Sequence, residues 1–273
     1  MEELVSIVMP TYNCANFIEE SIKSVLAQHH KNWELLIVDD CSTDNTKAIL
    51  APYLAKYPNI HYTCLEKNSG TAVARSTALK QAKGDYVAFL DSDDLWTPNK
   101  LSLQIDFMKQ NKAAFSATGY ELLRKTSISH GMEEVILPLK FNYKQMLCWA
   151  YPVSTSTVIY DGRVIKDIEI QQLGTLSTFA LWLKILHITP TCYSLPDILA
   201  KKRCNIHPKH QRNFQPLSDQ WHLYRSVERL NFAKSVWFIL CSCLFKWARV
   251  GIKKRDFEKE KKQNIADSVL DYE

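Results

Sequence analysis

No two of the chain's eight cysteines (Cys14, Cys41, Cys64, Cys148, Cys192, Cys204, Cys241, Cys243) stand in a C-x-x-C pair. That removes the spacing common to thiol redox sites and zinc ribbons. Several of the eight lie inside apolar runs, where cysteine behaves as a small hydrophobe. Free thiols in a reducing cytoplasm are the expectation. No apolar run nears the roughly twenty residues that span a bilayer; the most apolar uninterrupted one, Ser235–Phe245, has eleven. Glu2 and Glu3 precede the first apolar run, so no secretory signal is expected. No internal repeat or low-complexity tract is visible. No glycine- and Lys/Arg-rich loop follows the first strand-like run, where "PTYNCAN" stands instead, which argues against a nucleotidyltransferase. The net charge of +5 is too mild to argue for nucleic acid, and the basic excess gathers in Lys246, Arg249, Lys253, Lys254 and Arg255.

What is present is globular: 46% hydrophobic and 23% charged residues in 273, enough for one large domain or a domain with an appendage. "LVSIVM" (Leu4–Met9) is a β-rich run that stops at Pro10. Asn16 and Glu19 have capping-box spacing ahead of a helix carrying Ile18, Ile22, Val25 and Leu26. "WELLIV" (Trp33–Val38), "IHYTCL" (Ile60–Leu65) and "YVAFL" (Tyr86–Leu90) read as further strands. Helices are expected over Ser42–Tyr57, with Pro52 inside, over Gly70–Lys83, with Gly84 as its stop, and from Pro98 to about Asn111. Alternation of this kind predicts βαβ units and a parallel sheet. Beyond Asn111 the expected elements are strands at Ala114–Leu123, Ser156–Tyr160 and Thr191–Leu195, with helices near Tyr143–Trp149 and Phe179–Leu186. A polar loop or linker follows at Cys204–Pro216, then a helical tail from Leu217.

In such sheets the ligand sits at the carboxyl ends of the strands. The segments there read "PTYN", "DDCSTD", "EKNSGTAVAR" and "DSDD". Asp91 and Asp93, at x and x+2 past a strand, can converge on Mg²⁺ or Mn²⁺, which take one or two carboxylates and let substrate phosphates complete the shell. A D-x-D alone is equally a solvated loop. Here Asp39-Asp40 follows another strand in the same way. Arg75 can offset anionic charge or form a surface salt bridge. Tyr12 can stack on a planar base. Together these are the parts that hold a nucleotide diphosphate.

The stretches "VSIVMPTYNCANFIEESIKSVLAQ", "WELLIVDDCSTDNT", "NSGTAVARSTALKQAKGDYVAFLDSDDLWTP" and "FALWLKIL" together resemble glycosyltransferase family 2. The likeness is dense over Val5–Leu103 and thinner to about Arg203. It implies an α/β GT-A fold, a Rossmann-like, mostly parallel sheet flanked by helices, and inverting sugar transfer from a nucleotide donor. It also implies UDP, a Mg²⁺ or Mn²⁺ cofactor, and a saccharide or lipid-linked acceptor in bacterial surface polysaccharide synthesis. By the resemblance Pro10, Thr11 and Tyr12 frame the base and Asp40 bonds uracil, with Asp39 beside it. Asp91 touches ribose or metal, Asp93 coordinates the metal, and Arg75 lies near the phosphates. Asp39 alternatively reads as a capping carboxylate.

Two stretches depart from the family pattern. Inverting transfer needs a base for the acceptor hydroxyl. Relatives place an aspartate in a stretch like R-Q-D-Y-A-L-W; this chain has "LSTFALW", with Thr178 at the aspartate's place. Either another carboxylate such as Asp167 or Glu169 serves, or the chain is a non-catalytic nucleotide-sugar-binding homologue, or the base lies elsewhere through a shifted loop. In "CNIHPKH", Cys204, His207 and His210 have metal-site spacing but no evident fourth ligand; His207 alone can instead complete a donor-site metal shell.

The expected organisation is a donor half (1–111) and an acceptor half (112–203) of one domain, then a linker and amphipathic helical tail (204–273). In the tail, Lys234, Ser242, Lys246, Arg249 and Lys253 fall near one side of a helix. Trp237, Phe238, Leu240, Leu244, Phe245 and Trp247 cover much of the rest. That suits either a helix in a membrane interface or one packed on protein. The expected location is the cytoplasm, at the inner face of the membrane.

Overall fold

The computed structural model describes residues 2–124, 133–148, 152–166, 168–204 and 217–245. The chain divides into two compact units, Met1–Tyr143 with Pro152–Phe214, and Lys144–Tyr151 with Gln215–Glu273.

The first unit is built on one sheet. Strands β1 (Val5–Thr11), β2 (Trp33–Asp39), β3 (Ile60–Cys64) and β4 (Tyr86–Phe89) lie in the order β3-β2-β1-β4, all parallel. The order continues through β9 (Ile159–Asp161), β6 (Phe115–Arg124), β10 (Thr191–Cys204) and β5 (Leu95–Trp96). Here pairing is mixed: β9 runs antiparallel to β4 and β6, whereas β10 and β6 are parallel. The parallel reading therefore holds for the first half and gives way beyond β4. Two short strands, β7 (Glu133–Val135) and β8 (Lys140–Asn142), edge β6 and β10.

Strand residues alternate between two buried faces. Val5, Ile7, Met9, Leu35, Ile37, Tyr86 and Ala88 share a core with Ile18, Ile22 and Val25 of α1 (Ile18–Leu26), Leu50 of α2 (Thr46–Lys56), and Leu101, Ile105 and Met108 of α4 (Lys100–Asn111). On the other side, α3 (Thr71–Gln81) packs on β1 and β2. Trp182 of α6 (Ser177–Ile188) meets Phe89 edge-on at 5.2 Å. Burial on both faces is why these strands read as unbroken apolar runs.

Several local expectations are corrected. β1 runs on through Pro10, which pairs in register with Val38. The capping box does not form: the Phe17 and Ile18 amides donate to the Cys14 carbonyl, and Glu19 pairs with Lys23 and Tyr53. α2 starts at Thr46 because 40–45 is a bonded loop, and α4 starts at Lys100, after Pro98. Gly84 is not a left-handed helix stop; a Cβ there would stand 2.5 Å from the Ser6 amide nitrogen and 2.7 Å from the Leu4 carbonyl, so it is a close approach onto β1. β10 is far longer than Thr191–Leu195; it crosses Pro196 with register shifts between Leu195 and Ala200. All eight cysteines are free thiols.

In the second unit α5 (Tyr143–Leu147) enters from the first, and α7 (Leu217–His222) leads into a π-helical turn, Leu223–Val227. Arg229 at φ 50 breaks the chain direction, and helix α8 covers 232–245. Among the described residues of the tail, the helical stretch is thus divided in two at Arg229. The Tyr224 hydroxyl donates to the Leu147 carbonyl at 2.5 Å.

Candidate active site

β1 is flanked by β2 on one side and β4 on the other, so strand order reverses beside it. The crevice at the carboxyl ends of β1 and β4 is where a parallel sheet opens to a ligand. Pro10 and Thr11 end β1, both buried, and the next residue, Tyr12, leaves 48% of its surface exposed. The Asp40 amide donates to the Thr11 carbonyl at 2.9 Å. Asn13, at φ 47, turns the chain, and its Oδ1 accepts from the Thr43 amide at 2.8 Å. Ser42 Oγ accepts from the Asn13 amide at 2.8 Å, so the loops after β1 and β2 form one bonded corner next to Tyr12 in sequence.

The two acids after β2 have different work. Asp39 Oδ1 accepts from the Ser42 amide and hydroxyl at 2.8 and 2.6 Å, and Oδ2 accepts from the Tyr62 hydroxyl at 2.9 Å. Its carboxylate shapes the turn that presents Asp40. Asp40 accepts the Ser69 and Gly70 amides at 2.7 and 2.8 Å, one on each oxygen. It holds the loop after β3 against the site, at the start of α3, where Gly70 takes φ 90.

Arg75, in α3, is buried to 4% exposure, so it is no surface salt bridge. Its Nη2 donates to Asp91 Oδ1 at 2.9 Å and its Nη1 to Thr178 Oγ1 at 2.7 Å. Its Nε–H is buried without a hydrogen-bond partner. One guanidinium therefore joins the acidic loop after β4 to the first turn of α6, which lies 103 residues beyond Arg75 in sequence. Thr178 lies in the site, at the start of a helix, as the "LSTFALW" register requires.

The "DSDD" loop is fixed from below. Ser21 Oγ of α1 bonds the Ser92 and Asp94 carbonyls at 2.9 and 2.8 Å. Ser156 Oγ accepts from the Asp91 amide at 3.1 Å and donates to Asp94 Oδ2 at 2.6 Å. Asp94 Oδ1 accepts from the Arg203 amide at 2.9 Å. Burial, reinforced by Asp91 and Asp93, pushes the Asp94 carboxyl up to about 8. Burial and then Asp91 also raise the Asp93 carboxyl, which Lys202 and Arg203 partly offset. The three acids are thus unequal: Asp94 is an interior strut, Asp91 is paired with Arg75, and Asp93 feels the repulsion of Asp91, only partly offset by Lys202 and Arg203.

Residues 6–159 match the Glycosyl transferase family 2 model, more than half of the chain. The chain belongs to glycosyltransferase family 2. TuaG of Bacillus subtilis, named for teichuronic acid biosynthesis, is 38% identical over 253 residues, 92% of this chain and 97% of TuaG. WfgD of Escherichia coli, named as a UDP-Glc:α-D-GlcNAc-diphosphoundecaprenol β-1,3-glucosyltransferase, is 33% identical over 258 residues, 93% of this chain and 96% of WfgD. S. aureus TarS, crystallised with UDP, superposes with a TM-score of 0.64 at 25% identity, over 86% of this chain and 69% of that one. The fold is GT-A and the protein is a glycosyltransferase.

Within the family 2 site, Asp91 and Asp93 fit a hard divalent cation. Both are oxygen donors, Asp91 gives only Oδ1 to Arg75, and the mutual repulsion is of the kind a cation relieves. Among the described residues no group of three or more His, Cys, Asp or Glu converges as a complete metal cage. His207, His210 and Asp167 lie outside the described residues. Cys204 ends β10. Glu169 is exposed, and its carbonyl accepts from Lys184 Nζ at 3.4 Å. Ser156, Asp94 and Ser21 were missed as supports of the site. Their partners lie 62 to 109 residues away, and no local pattern marks such contacts. Asp94 alone left a signal, as the third acid of a cluster too charged to be fully ionised.

Proposed function

We propose that this glycosyltransferase moves a sugar from a UDP donor to a saccharide or lipid-linked acceptor in the building of a bacterial surface polysaccharide. It does so at the cytoplasmic face of the membrane. The observation that carries the reading is the single guanidinium of Arg75, which ties the acidic loop after β4 to α6. UDP rather than another nucleotide is favoured by the UDP-Glc in the name of WfgD and by the UDP held by TarS.

In this reading Tyr12 stacks on the uracil, while Pro10 and Thr11 frame it. Asp40 bonds the base edge with capacity left after its two amide contacts. Asp39 acts indirectly, by holding the turn that carries Asp40. Asp91 and Asp93 would hold Mg²⁺ or Mn²⁺, with His207 a candidate third ligand. When bound, that ion supplies a positive charge to the departing diphosphate. Arg75 holds Asp91 in place by its hydrogen bond and adds positive charge near the phosphates through its unpartnered Nε–H. Thr178 places α6 against this assembly by accepting from Arg75. Its neutral hydroxyl does not take a proton near pH 7, which leaves deprotonation of the acceptor to a carboxylate such as Asp167 or Glu169, or to water.

The test is titration of the purified protein with UDP and UDP-sugars, with Mn²⁺ and with chelator, read as binding and as UDP release. Mn²⁺-dependent UDP binding in preference to GDP is the expected result. Absence of UDP binding under any condition would sink the proposal.

A further inference from the structure

Helix α8 has its faces reversed. Its fully buried residues are Ser235 and Ser242. Ser242 Oγ donates to Gln220 Oε1 of α7 at 3.0 Å, and Phe238, between the serines, meets the ring of Tyr224 at 6.2 Å. Ser242 therefore belongs to the packed side, not to an outward polar stripe. The outward side carries Trp237, Leu240 and Leu244, exposed to 64%, 55% and 65%. At about 100° per residue these three lie within roughly 60° of one another, opposite the serines. Phe232 and Phe245 extend the apolar surface at the two ends of the helix, exposed to 66% and 44%.

A helix facing only water would arrange itself the other way. Single exposed hydrophobes need no explanation, but an aligned stripe of this kind marks a contact surface. The surrounding charge says what the contact is. From Arg229 to Arg255 the sequence contains no aspartate or glutamate, and it contains Arg229, Lys234, Lys246, Arg249, Lys253, Lys254 and Arg255. A two-fold contact with a second copy would set like charges against one another. An anionic lipid surface satisfies both the apolar stripe and the charge of one sign. No described helix is long and apolar enough to cross a membrane, so the contact is one of lying on the surface.

We infer that Trp237, Leu240 and Leu244 are the face by which the chain seats on an anionic bilayer, with the Trp237 indole at headgroup depth. The choice of a bilayer also rests on the proposed lipid-linked acceptor, because an enzyme with such a substrate must work where the lipid is.

The experiment is cosedimentation of the full chain with vesicles containing phosphatidylglycerol, beside neutral phosphatidylcholine vesicles, with UDP affinity measured on the same preparations. The wild type is expected to pellet with anionic vesicles and to be released by high salt. The double variant Trp237→Glu/Leu240→Glu is expected to bind them roughly a hundredfold more weakly. The milder Leu240→Ser/Leu244→Ser is expected to weaken binding with an unchanged circular dichroism spectrum and UDP affinity. Equal pelleting of all forms, or no pelleting of the wild type, would overturn the inference. So would a wild-type dimer, seen by sedimentation velocity, that the variants dissociate. A wild type that binds UDP but not vesicles refutes this surface alone. One that pellets but binds no UDP refutes the donor reading and supports the surface.

Discussion

Thr178→Asp places a carboxylate where family 2 relatives carry their base. The side chain at this position already lies 2.7 Å from Arg75 Nη1, so the new carboxylate enters against a cation. A positioned general base is worth about 10²–10⁴ in rate, or roughly 3–5 kcal/mol of barrier. Two features of the structure set where in that range the variant falls. Arg75 favours the ionised form, since a cation at this distance lowers a carboxylate pKa by about 1–3 units, and a weaker base is a poorer one. Asp91, held by the same guanidinium, repels the newcomer and partly restores its basicity. The expected gain is therefore near the lower end, about a hundredfold in turnover.

UDP release from a panel of UDP-sugars with Mn²⁺, with and without a lipid-linked acceptor, reads this directly. Thr178→Asn is the control, with the same shape and no basicity. The aspartate variant should also show a rate that falls as pH drops and the new carboxylate protonates, a limb absent from Thr178→Asn. If Thr178→Asp is no faster than Thr178→Asn while both bind UDP like the wild type, proton removal is handled elsewhere and the position is only a brace for Arg75.

Three further outcomes are expected. Chelation, or Asp93→Asn, should weaken UDP-sugar binding by roughly ten- to a hundredfold while leaving uridine binding unchanged, because the ion acts on the diphosphate; calorimetric titration separates the two. Gly84→Ala should destabilise the fold by about 1–3 kcal/mol, seen as a fall in Tm, because the atoms a Cβ would strike are backbone atoms of β1 and the residue before it. Lys100 is fully buried, its Nζ bonded to Gln104 Oε1 at 2.8 Å and lying 4.3 Å from the centre of the Trp96 ring, and burial holds its pKa well below the usual lysine range. The folded state thus leaves this amine neutral where the unfolded chain protonates it. Its contribution is fully present above the unfolded pKa and is lost as pH falls through the folded one. Stability should rise with pH in that window by up to about 1.4 kcal/mol per unit, and urea unfolding of Lys100→Met should lack this component.

What could be read from the sequence was the part whose signals are local. β1, β2 and β4 announce themselves by apolar runs, each followed closely by polar residues. Asp40, Arg75, Asp91 and Asp93 were nominated from spacing and resemblance, and the fold brings Arg75 and Asp91 into contact. The second half resisted because its contacts are long-range. β10 continues through Pro196 because pairing with β6 overrides a local strand breaker. Ser156 is an ordinary serine in "STSTV" until the fold sets it under Asp91. The capping box at Asn16 failed for a similar reason: the Cys14 carbonyl, fixed where its chain crosses to Thr46 and Ser92, takes the amides that Asn16 was expected to serve. In α8 the helical period was legible, but which side faces inward was not. Gln220 decides that by drawing Ser242 in.

The acidic cluster shows how such long-range supports produce function. Three free carboxylates within four residues would repel one another too strongly to remain ionised together. The fold resolves this by giving each a different fate. Asp94 is sealed between Ser156 and the Arg203 amide, where burial pushes its carboxyl up to about 8. Asp91 pairs with Arg75 at 2.9 Å. In the proposed reading, a divalent ion beside Asp91 and Asp93 would add the positive charge that holds a diphosphate. Asp94, bonded by Ser156 and the Arg203 amide, thus anchors the loop that carries Asp91 and Asp93, and no motif marks Ser156 for that work.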